Sequence, residues 1–151
     1  MRKILVAVLA GVATLAVVAL PVASGASKSK TIHYTEKVTG AEISGTQAVF
    51  KIHDSVVGDG AGVQNVKLNS NGLSGTSTTV AYYGDASGKA KGPFKLGTPN
   101  AQGVVTVTGS GTGSGGTGKL KGYTAKFTLT GTFNTKTLVY QVTVHGTETK
   151  Q

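Results

Sequence analysis

Gly122-Tyr123-Thr124-Ala125-Lys126-Phe127-Thr128-Leu129-Thr130-Gly131-Thr132-Phe133 is the stretch on which the reading of this chain turns. Tyr123, Ala125, Phe127, Leu129, Gly131 and Phe133 fall on one phase of a period of two, and Thr124, Lys126, Thr128, Thr130 and Thr132 fall on the other. Successive side chains of an extended backbone point to opposite faces, so this pattern predicts a strand with one buried and one solvated face. Asn134-Thr135-Lys136 supplies turn residues. Beyond them Tyr140, Val142, Val144 and Gly146 alternate with Val139, Gln141, Thr143 and His145, which completes a predicted hairpin.

Upstream the same period recurs more weakly. Thr31–Val38 brings Ile32, Tyr34 and Val38 into phase, and Gln47–His53 does so for Ala48, Phe50 and Ile52. Val63–Leu68, Thr76–Tyr83, Lys89–Leu96 and Gly103–Ser110 bring the total to eight strands, with Asp85-Ala86-Ser87-Gly88 as a turn between the fourth and fifth. No useful length of the chain after the N-terminal segment has helical periodicity. A short pattern also repeats: Val105–Ser110, Phe127–Thr132 and Val142–Thr147 each carry a glycine on the inward phase near the strand's end. Such glycines let strands bend, as small barrels require, although a threonine- and glycine-rich chain also repeats itself through composition alone.

The N-terminus reads differently. Arg2 and Lys3 precede an apolar run from Ile4 to Leu20, then Pro21, then the small residues Val22-Ala23-Ser24-Gly25-Ala26. This is the layout of a helical secretory signal peptide, with cleavage after Gly25 or after Ala26, and it predicts a secreted, extracellular product. Residues 1–26 are therefore assigned to the signal and 27–151 to a single β domain. No cysteine follows the apolar run, so no lipid is attached there, and no second apolar segment succeeds it, so the mature chain is expected to be released. With no cysteine at all, a hydrophobic core and sheet hydrogen bonds must hold the domain, and thiol chemistry is excluded.

The mature part carries 13 lysines against 6 acids, and the chain's one arginine, Arg2, lies in the signal. Base and phosphate readers lean on the arginine fork, so specific nucleic-acid binding is not expected. A lysine-only surface suits solubility or loose association with an anionic cell envelope.

Gly113-Ser114-Gly115-Gly116-Thr117-Gly118-Lys119-Leu120 has the glycine and lysine spacing of a phosphate-cradling loop. Leu120 stands where Ser or Thr should hold magnesium, and the residues from Lys121 to Phe127 alternate as a strand and not as a helix. The same glycines, read as Gly115-Gly116-Thr117-Gly118-Lys119-Leu120-Lys121-Gly122 running into a threonine-rich strand, resemble the GGTG-type turn of the allene oxide cyclase and dirigent-like barrel proteins, especially their small exported bacterial members. The resemblance covers Val104 to Gly146. It implies an eight-stranded antiparallel barrel around a central apolar cavity. It also implies, by analogy with plant members, a cavity that steers small hydrophobic molecules. The mature chain has no arginine to match those of dirigent pockets, and the family's functional residues do not carry across.

The expected architecture is thus all-β: an eight-stranded antiparallel β-barrel preceded by a helical signal peptide. Eight strands enclose a space that either fills with side chains or holds one small ligand. By phase, Glu36 shares the face of Ile32, Tyr34 and Val38, and Glu148 shares that of Tyr140, Val142 and Val144. A carboxylate inside such a barrel would have a raised pKa and acid–base capacity, but both also fall near strand ends, where the plainer expectation is contact with water. Tyr34, Tyr82, Tyr123 and Tyr140 take inward phases and are candidate cavity-lining residues. His33, His53 and His145 take outward phases on separate strands, so no metal site is expected, and Asp54, Asp59 and Asp85 read as turn residues. No motif calls for a cofactor. Three functional readings stay open. They are an exported barrel binding a small apolar ligand or serving as an envelope accessory domain, an isomerase or cyclase working in the same cavity, and a structural or adhesive β-sandwich.

Overall fold

The computed structural model describes residues 31–150; residues 1–26, where a signal peptide is expected, lie outside the described residues. Eight strands succeed one another: β1 (Thr31–Ser44), β2 (Gln47–Asp54), β3 (Gly58–Leu68), β4 (Ser74–Tyr83), β5 (Ala86–Leu96), β6 (Val104–Thr117), β7 (Tyr123–Asn134) and β8 (Val139–Lys150). Each pairs antiparallel with the next, and β1 pairs with β8, so the sheet closes into an up-and-down barrel. Closure leaves no sheet edge open and removes the sandwich alternative. Every pairing and the whole buried core lie within residues 31–150, so this segment closes on itself.

The connections define two ends. At the Thr31 end lie the short links after β2 and β4 and a single 3-10 turn, Gly118–Leu120, before β7. At the far end lie the links after β1, β3, β5 and β7. The β4–β5 turn is tighter than the sequence implies. Tyr83 pairs directly with Ala86, so only Gly84 and Asp85 turn the chain, with Gly84 at φ 62° where a hairpin needs a left-handed residue. The glycine-rich Gly111–Thr117 is strand, not loop: β6 runs seven residues past the expected Ser110.

Why the barrel tolerates so much glycine is visible in the register. Phe50 lies opposite Gly40 on one side and Gly62 on the other; Phe94 lies between Gly75 and Gly109; Phe127 lies between Gly111 and Gly146. Tyr34 also faces Gly146, and Tyr140 faces Gly40. A Cβ at Gly62, Gly75, Gly111 or Gly146 would collide with the facing ring. The inward glycines are therefore space for neighbouring aromatics, which lie over bare backbone and fill the interior. Eight of the nine aromatic residues are buried, and only Tyr82 is exposed. The glycine repeat has the same meaning: Gly109, Gly131 and Gly146 sit against Leu129, Val142 and Tyr34.

One strand reverses the phase expected of it. The buried face of β4 is Gly75, Ser77, Thr79, Ala81 and Tyr83, while Val80 and Tyr82 point outward. Phe94 of the flanking β5 covers Gly75, and Phe50 of β2 reaches across Gly62 of β3, so this strand presents small residues inward and its bulkier Val80 and Tyr82 go to the surface.

The pairing of ring and glycine makes a quantitative expectation. Gly146→Val places a branched side chain into the Tyr34 ring and should destabilise the barrel by about 3 kcal/mol in urea unfolding. Adding Tyr34→Leu should restore part of that loss, with a coupling of at least about 1 kcal/mol in the double-mutant cycle. Strict additivity of the two would show that the ring does not occupy the glycine's space.

Candidate functional site

At the Thr31 end the inward phases of β1, β2 and β8 bring three carboxyl groups into the interior. Glu36 lies directly opposite Asp54, the last residue of β2, and Glu148 lies opposite Ile32 of β1 and Ala125 of β7. All three are fully buried: Glu36 and Glu148 are 0% exposed and Asp54 1%. The expectation that Glu36 and Glu148 sit in water at frayed ends is therefore overturned. The barrel extends past them on the neighbouring strands, and the ladder holds them in phase.

The hydrogen bonds around the cluster are specific. Asp54 Oδ1 accepts from the backbone N–H of Val56 at 2.6 Å and of Val57 at 2.7 Å, which builds the turn that its sequence context announced. The Glu36 carboxyl is among the groups that face Asp54 across the ladder. The Tyr83 hydroxyl donates to Glu36 Oε1 at 3.4 Å. Burial pushes the Asp54 carboxyl above its ordinary value, and the N–H bonds from Val57 and Val56, the Glu36 contact and nearby His53 pull partly against it. Tyr34 stands on the same face of β1 as Glu36, and its hydroxyl has no hydrogen-bond partner among the described residues. Burial, then the charges of Glu36, Glu148 and Asp54, hold that phenol far above the usual tyrosine range.

Val56 and Val57 pack against the core beside this cluster, and Leu120, carried in by the 3-10 turn, is buried within it. A second buried polar group, Gln64 opposite Thr79 with Ser77 nearby in β4, lies farther down the barrel. The first cluster gathers three buried carboxyl groups and two phenols at one end of the barrel.

Of the residues singled out from sequence, Glu36, Glu148, Tyr34 and Tyr123 gather at this end. Tyr123 is buried, with its hydroxyl pushed up by burial and by Glu148 and with Lys150 Nζ 5.7 Å from its ring centroid. Tyr140 is buried toward the far end, against Gly40. Tyr82 is 54% exposed and lines no interior; Tyr83 holds the inward position expected of it. Sequence reasoning misses Asp54 as an interior group, reading it only as a turn residue, and misses Tyr83 altogether. The signal for Tyr83 is the alternation of small residues Gly75, Ser77, Thr79 and Ala81, which share its phase.

The three histidines face outward. His53 Nδ1 pairs with Asp59 Oδ1 at 2.6 Å on the surface, and His145 Nδ1 meets Thr35 Oγ1 at 3.1 Å. Among the described residues no three His, Asp or Glu side chains are arranged to hold a metal ion. The phosphate-loop look-alike is strand up to Thr117 and then a three-residue 3-10 turn, so it presents no helix N-terminus. Open grooves run along the outer wall, one between Lys89 and Lys91 with Thr78 and Thr112, another between His33, Lys126 and His145. The chain matches no family model, no curated protein and no solved structure.

The buried Asp54 carboxyl sets a pH dependence. Its folded pKa lies above the ordinary 3.8, so its contribution to stability is fully present below that value and is lost as pH rises through the raised one. The urea midpoint of Asp54→Asn should accordingly gain on wild type as pH rises from about 4 to about 8. The amide oxygen can still accept from Val56 and Val57, so the turn survives. A constant difference across that range would show that Asp54 is charged in the folded barrel throughout.

Proposed function

We propose that this is an exported accessory module of the cell envelope. In this reading residues 1–26 direct export and are removed, and residues 27–151 form a β-barrel that acts through its outer wall. The observation that carries the reading is the occupied interior. Much of the space that an eight-stranded barrel can offer to one small ligand is taken by its own aromatic side chains, laid over glycines on the neighbouring strands. The outer wall supports it as well: threonine and lysine point outward along β7, the reverse of a membrane-spanning barrel, whose outside is apolar. The GGTG-type turn at Gly115–Gly122 together with eight antiparallel strands supports distant membership of the allene oxide cyclase and dirigent-like superfamily.

A second reading, an isomerase or cyclase, draws on one specific feature, the buried Glu36–Asp54 pair with Tyr34 and Tyr83 beside it. It requires that Val56, Val57 and Leu120 move aside to admit a substrate. The two readings separate by experiment. The mature chain recovered from expressing cells should show the bare polypeptide mass under native conditions and should be released from isolated envelopes by high salt. A stoichiometric apolar ligand, or turnover of a polyene or conjugated lipid that Glu36→Gln abolishes, would replace the first reading by the second.

A further inference from the structure

The exposed apolar side chains of this barrel are ordered. On the outer wall Val139 of β8 lies opposite Ala41 of β1, Ala41 opposite Val49 of β2, Val49 opposite Val63 of β3, and Val63 opposite Val80 of β4. One apolar row therefore crosses five adjacent strands, a span of about 19 Å at the usual strand spacing. Val49, Val63 and Val139 are 41%, 47% and 39% exposed. The row meets the far-end rim beside Ile43, which is 62% exposed, and Leu138, whose carbonyl accepts from the Glu42 N–H at 2.9 Å.

Leu138 is the one non-glycine residue in the left-handed region among the described residues, at φ 60°. The β7–β8 turn forces it there: Asn134 Oδ1 accepts from the N–H groups of Lys136 and Thr137, and the Asn134 carbonyl accepts from Leu138. Glycine or asparagine takes that conformation cheaply, whereas leucine is strained in it. Burial does not offset the strain, because Leu138 is 37% exposed. A strained turn thus holds an aliphatic side chain out at the rim.

Charge narrows what could cover it. The exposed acids Asp59 and Asp85 lie at the opposite, Thr31 end. Lys119, Lys121 and Lys150 stand at that end too. At the far end are Lys67, Lys95 and Lys136, with the half-buried Glu42 as the one acid among the described residues there, so only the far end carries lysine without an exposed acid. Protein interfaces favour aromatic residues and arginine and are depleted in lysine. Aliphatic groups edged by lysine instead match an anionic bilayer, where lysine meets headgroup charge and aliphatic carbon leaves water.

We propose that the far-end rim, with Ile43, Leu138 and Val139 leading and Val49 and Val63 behind them, seats on an anionic phospholipid surface. This rests on the reading of the barrel as an envelope module acting through its outer wall, and it names the partner.

The test is sedimentation of residues 27–151 with vesicles of phosphatidylglycerol and phosphatidylcholine, compared with phosphatidylcholine alone. Wild type should sediment with the anionic vesicles and be released by salt. Ile43→Ser with Leu138→Gly should weaken binding by about tenfold or more. Leu138→Gly alone should weaken it while leaving the urea midpoint equal or higher, because glycine relieves the turn; a purely structural leucine would change stability and not binding. Undiminished binding of the double variant overturns the proposal. So does a dimer that dissociates on Val63→Asp and ignores vesicles, since a second copy would then cover the row. A chain that ignores vesicles yet binds isolated envelopes sinks this inference and leaves the envelope reading standing. A chain that binds neither sinks both.

Discussion

Most large rings inside this barrel lie against a neighbouring strand's glycine. With eight strands closed on themselves, inward residues on adjacent strands sit about 5 Å apart, which leaves little room for two aromatic rings on one rung; Phe133 and Tyr140 are the pair that share one. The chain meets this by alternating ring and glycine around the wall: Gly40, Phe50 and Gly62 on β1 to β3, and Gly75, Phe94 and Gly109 on β4 to β6. The glycines cost backbone entropy on folding, and the rings covering them return apolar burial while shielding the backbone hydrogen bonds. Glycine content, filled interior and barrel curvature are therefore one feature.

The same crowding governs where polarity can go. Near the middle and the far end the inward positions are taken by Phe94, Phe133 and Tyr140, and at the Thr31 end by Tyr34 and the carboxyl groups of Glu36, Asp54 and Glu148. Burying three carboxyl groups is unfavourable unless protons or hydrogen bonds neutralise them. Asp54 uses hydrogen bonds, with two backbone N–H groups donating to its carboxyl opposite Glu36. Such an arrangement gains little for stability and is the part of the interior least explained by packing. The outer wall is polar in turn because the apolar residues are used inside, which makes the valine row across β8, β1, β2, β3 and β4 a local departure from the pattern.

How legible each strand is in the sequence differs from one to the next. β1, β2, β7 and β8 carry their large apolar residues on one phase, and their faces can be assigned from that alone. β4 reads inside out, since Val80 and Tyr82 look like a core phase by hydropathy. Its true inward face is made of Gly75, Ser77, Thr79 and Ala81, small because Phe94 of β5 covers Gly75 and Phe50 of β2 reaches across Gly62 of β3. The same inversion makes Tyr82 look cavity-lining and hides Tyr83. Glu36 and Glu148 fall on the correct phase by sequence, but their burial depends on how far the flanking strands extend.

Period and composition suffice for an all-β domain, its strand number, the inward phase of the strands with large apolar residues, and outward histidines. Local backbone alternation encodes these, so no partner strand is needed to read them. Closure of β1 on β8, the pairing of most rings with a glycine, the meeting of Glu36 with Asp54 and the alignment of single valines into a row belong to the tertiary structure alone. Each of these depends on the register between separate strands, and a shift of one residue would turn every side chain to the other face.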